Sequence, residues 1–154
     1  MMASKPDLYN HDFYAWTQQQ AALLRESKVH DLDCTNLAEE IESLGRSEKR
    51  ELGNRLHILV MHLLKWRYQP ERRQRGRSWR STIWEQRSRL RRLLRQSPSL
   101  VPLVPQTIQE EYAEARQRAR EETGLPLTAF PAACPWTVEQ VLDTDFWPEG
   151  ETTP

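Results

Sequence analysis

One stretch constrains the fold more than any other, the run from Asn36 to Pro70, NLAEEIESLGRSEKRELGNRLHILVMHLLKWRYQP. At helical spacing, Leu37, Ile41, Leu44, Leu52, Leu59, Leu63 and Trp66 fall within about 100° of one another. An apolar stripe held over roughly thirty residues predicts a single long helix. Pro70 ends it, because proline lacks an N–H and its ring clashes with the preceding turn. Gly45 and Gly53 each weaken the helix by about 1 kcal/mol relative to alanine. Gly45-Arg46-Ser47 offers the alternative of a break, with Ser47 capping a second helix. The shared phase of the apolar residues on both sides favours a helix that is continuous or only bent there.

Three polar residues, Glu48, Arg55 and His62, fall inside the apolar stripe and form a candidate polar seam. Successive members are about 10 Å apart along a helix axis, so they cannot converge on one site within this helix. Each therefore needs a partner from another segment, since a buried polar group must be paired.

The same stretch carries a family resemblance. The run NLAEEIESLGRSEKREL, followed by HLLKWRYQPERR and SWRSTIWEQR, resembles the bacterial family called domain of unknown function 29. The segments ETGLP, FP, CPWT and DFWP extend the likeness, which spans Tyr9 to Glu149. The resemblance implies a compact, mostly helical bacterial domain. It implies no reaction, and it supplies no catalytic residues to map.

With 154 residues the chain is large enough for one domain with a real core. The expected organisation is a flexible N-terminus over 1–8, a single helical domain over 9–149 and a disordered tail over 150–154. Only 38% of residues are hydrophobic, so the six tryptophans must supply much of the buried area. MMASKPDL holds no apolar run of the signal-peptide kind. The longest apolar stretch, Ile58 to Leu64, is interrupted by His62, so no membrane span is expected. Cys34 and Cys134 belong to no ligand-spaced motif and suit two reduced thiols in a cytoplasmic protein.

Net charge is zero, yet the charges are segregated. Between Lys65 and Arg95 there are 12 basic residues against Glu71 and Glu85, a local charge of +10. After Pro135, Glu139, Asp143, Asp145, Glu149 and Glu151 meet no basic residue. Such asymmetry suits either an anionic partner or internal pairing of the two regions. The expectation is internal compensation, by acids of the long helix and of the C-terminal arm.

Taken in order, Tyr9 to Glu26 reads as a first helix, started by Asn10 or Asp12. Asp33 or Thr35 caps the long helix. A basic loop, ERRQRGR, leads to Ser78 as the cap of a helix over Trp79–Gln96, with Trp79, Ile83, Leu90, Leu93 and Leu94 as its core face. After a proline-containing turn, Val104, Ile108, Tyr112, Ala115 and Ala119 line one face of a helix closed by Gly124. Three prolines over Leu125–Pro135 predict irregular chain, and Thr137-Val-Glu-Gln140 is a capping box for a short helix to about Asp143. Phe146 and Trp147 read as an apolar anchor. Trp16, Trp66 and Trp79 are expected in the core.

No cofactor and no tightly bound transition metal is expected. Glu39-x-x-Glu42 sets two carboxylates on one helical face, but it points well away from His62 and pairs more naturally with arginines. His62 beside Leu59 and Trp66 suits a satisfied core histidine, while His11, His30 and His57 lack sequence context. The chain has no glycine-rich phosphate loop and no serine in a nucleophile elbow. Arg80, Trp84, Arg87 and Arg91, with Arg95, form a candidate anion- or partner-binding stripe. An aromatic among arginines suits phosphate contacts and base stacking, and equally suits arginines stacked on Trp84 and paired within a protein.

The overall expectation is an all-α helical bundle around one long central helix, with an irregular C-terminal arm ending in a short helix. The leading function is a cytoplasmic binding or scaffold module for a protein partner or a second copy. A nucleic-acid-binding module using residues 65–95 is the alternative, and a helical-bundle enzyme with a carboxylate or histidine site is third.

Overall fold

The computed structural model describes residues 7–73 and 77–149. The described residues are all-α, with helices α1 (Leu8–His11), α2 (Phe13–Arg25), α3 (Cys34–Tyr68), α4 (Arg77–Gln96), α5 (Val104–Thr123) and α6 (Val138–Leu142), short 3-10 turns in the connections after α2, α3, α4 and α5, and no strand. None of these helices is long and apolar enough to cross a membrane. The flanks 1–6 and 150–154, and Gln74 to Gly76 of the basic loop, lie outside the described residues. The chain divides into two compact units, one up to Ser47 and the other from Glu48.

In the first unit, the helix expected over Tyr9–Glu26 is broken at Asp12. Asp12 leaves helical geometry (φ −148°, ψ 82°), and its carboxylate accepts the Ala15 N–H at 3.0 Å. A side chain that offers the backbone an acceptor starts a helix more readily than it continues one. Tyr9 and Phe13 gather on the buried Trp16, with ring centroids 4.8 and 5.6 Å away. Asp33 then ties this cluster to the start of α3. Its carboxylate accepts from Trp16 Nε1 at 3.0 Å and from Asn36 Nδ2 at 2.8 Å, while its own N–H donates to Gln20 Oε1 at 2.8 Å.

Helix α3 runs unbroken for 35 residues, through Gly45. Its apolar stripe is not buried throughout, however. Ile41 and Leu44 are 66% and 70% exposed, and every residue from 41 to 50 is exposed. Periodicity alone marks a face that could be covered, whereas burial needs a segment to cover it, and among the described residues none does.

The second unit holds the main core. Leu52, Leu56, Leu59, Val60, Leu63 and Leu64 of α3 share it with Ile83, Leu90 and Leu93 of α4 and with Val104, Ile108, Tyr112, Ala115 and Ala119 of α5. These α4 and α5 residues are among those expected from sequence, and Gly124 closes α5 in the left-handed region (φ 74°), where a side chain would strain the backbone. Trp66 and Trp79 differ from expectation, being half-buried at the rim. Each meets cations there: Lys65 Nζ lies 4.9 Å from the Trp79 ring centre, and the Arg73 guanidinium 5.3 Å from that of Trp66. Lys65 is itself buried and ion-paired with Glu122 at 2.5 Å.

The C-terminal arm follows as irregular chain. Phe130 is buried edge-on against Tyr68, and Arg116 donates to the Phe130 and Leu127 carbonyls at 2.9 and 3.0 Å. Both halves of the capping box at Thr137 and Gln140 are formed. A helix as short as α6 does not hold in water by itself, so its stability comes from what it packs on.

The Asp33 hub predicts a signed pH effect. Its hydrogen bond from Asn36, aided by that from Trp16, holds the carboxyl below the usual aspartate range. A depressed folded pKa stabilises the fold above the unfolded value of about 3.9 and is lost as pH falls through the lower folded value. Asp33→Ala is expected to cost about 1–2 kcal/mol at neutral pH, and the gap between wild type and variant, followed by urea unfolding, should narrow only below about pH 4.

Candidate binding face on the arginine-rich helix

Helix α4 is strongly amphipathic, and its arginines divide by what lies over them. Arg87 is fully buried, at 0% exposure. Its guanidinium donates through Nε to the Val141 carbonyl at 2.8 Å, through Nη1 to Phe146 at 2.7 Å and through Nη2 to Gln140 at 3.1 Å. Burial pulls its pKa down to about 10, with nearby Asp143 acting in the opposite sense, so it stays charged at neutral pH. Arg87 is therefore withdrawn from the anion- or partner-binding stripe: its donors are spent on the arm.

Its neighbours continue the same clasp. Trp66 and Trp147 meet at 4.8 Å between ring centres, which makes Trp147 an anchor of the arm. Arg80 lies 4.9 Å from the Trp147 ring centre and 5.8 Å from that of Trp66, and Arg87 lies 5.7 Å from Trp147. Arg73 donates to the Trp66 carbonyl at 2.6 Å and to that of Pro148 at 3.4 Å. Arg91 reaches Thr144 Oγ1 at 3.2 Å. Three-dentate capture of carbonyls by a fixed fork is a task for arginine and not for lysine.

The other side of α4 carries no described segment. Trp84 is 62% exposed, with Ser81, Ser88, Arg92 and Arg95 beside it and Arg89 ion-paired to Glu85 at 2.9 Å. Among the described residues, Arg92 and Arg95 have no carboxylate at ion-pair distance. The sequence stripe of Arg80, Trp84, Arg87 and Arg91 is thus split into an arm-facing flank and an open face centred on Trp84. Sequence placed Trp84 and Arg95 on that stripe and missed Arg89 and Arg92.

The members of the polar seam lie apart, each with its own partner. Glu48 is exposed and accepts from Ser97 Oγ at 2.6 Å. Arg55 is half-buried, paired with Glu51 at 2.9 Å and donating to Gln86 Oε1 at 3.2 Å. His62 finds its partner within its own helix, at the Ile58 carbonyl 2.8 Å from Nδ1. A carbonyl only accepts, so Nδ1 carries the proton. Burial lowers the His62 pKa, with the Ile58 carbonyl acting in the opposite sense. Glu39 and Glu42 both pair with Arg46, at 3.0 and 3.7 Å.

Two groups lie outside these candidates. A cleft of about 480 Å³ between α5 and the arm is lined by Ile108, Tyr112, Cys134 and Trp136, and burial pushes the Cys134 thiol up, so at neutral pH it is a poor nucleophile. His57, which has no context in the sequence, is brought by the fold beside Glu111 and Glu114.

The Arg87 clasp predicts that Arg87→Lys, which keeps the charge, loses about 2–4 kcal/mol by leaving carbonyls unpaired. Denaturant unfolding measures the loss, and limited proteolysis should cut the arm after Pro135 faster in the variant than in the wild type.

A family profile described as "Domain of unknown function DUF29" matches residues 8–147. No curated protein and no solved structure matches the chain.

Proposed function

The chain belongs to the DUF29 family, a domain of unknown function, so membership brings no activity with it; we propose that it is a binding module of the bacterial cytoplasm that takes a protein partner on the open face of α4. The observation that carries this is Trp84, a large aromatic left 62% exposed on the same face as Arg92 and Arg95, which have no carboxylate at ion-pair distance among the described residues. Tryptophan and arginine are the side chains most enriched where binding energy concentrates in protein interfaces. The cytoplasmic setting is supported by two free cysteines, Cys34 exposed and Cys134 half-buried.

Nucleic acid is the second reading, favoured by Arg92 and Arg95 standing without carboxylates among the described residues. It ranks lower because the arm occupies Arg87 and Arg73, and Arg89 is tied to Glu85. A face with so few free cations neutralises few phosphates, and affinity for nucleic acid scales steeply with that number.

The test combines Trp84→Ala, Arg92→Ala and Arg95→Ala. All three side chains are exposed, so the variant should keep its stability within about 0.5 kcal/mol per site. Nuclease-treated extract of the native host, passed over immobilised wild type, is expected to yield a stoichiometric protein partner that the variant fails to retain. Labelled single-stranded oligonucleotides titrated at about 0.15 M salt are expected to bind weakly to both. Micromolar or tighter oligonucleotide binding, lost in the variant and falling steeply with salt, would put nucleic acid first.

A further inference from the structure

Helices α3 and α5 bring three metal-ligating side chains together. His57 lies on α3; Glu111 and Glu114 stand one turn apart on α5. One donor atom from each falls within 4.8 Å of the other two. His57 Nδ1 and Glu111 Oε2 are 3.5 Å apart, too far for a good hydrogen bond. That separation matches a shared cation instead: two donors each about 2.1 Å from a tetrahedral metal lie about 3.4 Å from one another.

Two further observations point the same way. The Glu111 carboxylate lies against Gly53, one turn before His57, where a Cβ would come within 3.1 Å of Oε1. The bare backbone of Gly53 thus makes room for the carboxylate beside α3. Moreover, among the described residues neither Glu111 nor Glu114 is ion-paired to a lysine or arginine, although Glu122 on the same helix is. Two carboxylates therefore converge on one imidazole with no fixed cation to balance them.

We propose that His57, Glu111 and Glu114 form a binding site for a divalent transition-metal cation of the zinc class. One imidazole nitrogen with two carboxylates suits zinc, cobalt or manganese better than calcium or magnesium, which prefer all-oxygen shells. Glu114 is exposed at the rim, so three protein donors leave a position open to water. The bound cation clips α3 to α5.

The test is a titration of the purified, metal-free full chain with Co²⁺, followed by visible absorption and by calorimetry. One equivalent is expected to bind with the d–d bands of a nitrogen–oxygen site, to be displaced by Zn²⁺, and to raise the thermal midpoint. His57→Ala and Glu114→Gln are each expected to weaken the affinity at least about 10-fold. Glu114 is exposed, so Glu114→Gln probes the site without threatening the fold. Absence of saturable Co²⁺ and Zn²⁺ uptake by the wild type overturns the site, and so does affinity left unchanged in either variant.

Discussion

The arm-side architecture depends on one buried guanidinium. Removing a charge from water is costly, and Arg87 meets that cost without a carboxylate at hydrogen-bond distance, through three backbone carbonyls of the arm. Two of them, Gln140 and Val141, belong to the last turn of α6, where the helix dipole is negative. The same bonds that solvate Arg87 therefore hold a helix of only five residues in place. Trp147 then lies over the guanidiniums of Arg80 and Arg87, and Trp66 lies against Trp147. Arm and bundle are joined by cations facing dipoles and aromatic rings.

This changes how the segregated charge of the sequence is understood. Ionic compensation of the segment from Lys65 to Arg95 was expected from acids of the long helix and the arm. Among the described residues, its ion pairs are instead Lys65 with Glu122 of α5 and Arg89 with Glu85 of α4 itself. At hydrogen-bond distance the arm supplies carbonyls, while its carboxylates act at longer range. Asp143 acts on Arg87 only through its field, as Glu149 does on Arg73. Net neutrality constrains totals, while pairing depends on which atoms the turns present.

Much of the fold was legible because it is local. The unbroken α3, the α5 face from Val104 to Ala119, the glycine cap and the capping box all follow from periodicity and turn chemistry within one segment. The failures are tertiary. Nothing within residues 37–44 reveals that no described segment covers Ile41 and Leu44. Asp12 scored as one of two possible starts, but a break between Tyr9 and Phe13 is a competition between a side-chain acceptor and a helical turn that spacing does not register. Arg87 shared a helical stripe with Arg80 and Arg91, and only the path of the arm distinguishes them. His57 and Glu111 are 54 positions apart, so no motif could join them.

The exposed middle of α3 has a thermodynamic consequence. From residue 41 to 50 no side chain is buried, so this stretch remains helical on its backbone bonds, on the pairing of Arg46 with Glu39 and Glu42, and on the hydrogen bond from Ser97 to Glu48. Such surface pairs contribute little, about 0.3–0.5 kcal/mol each. Gly45, with open space where a side chain would sit, lowers the local helix propensity further. An isolated helix of ten residues is marginal in water. The continuity of the rod is thus inherited from its two anchored ends, the Asp33 cap and the buried run from Leu52. Its exposed centre is therefore expected to exchange amide hydrogens faster than the buried run from Leu52.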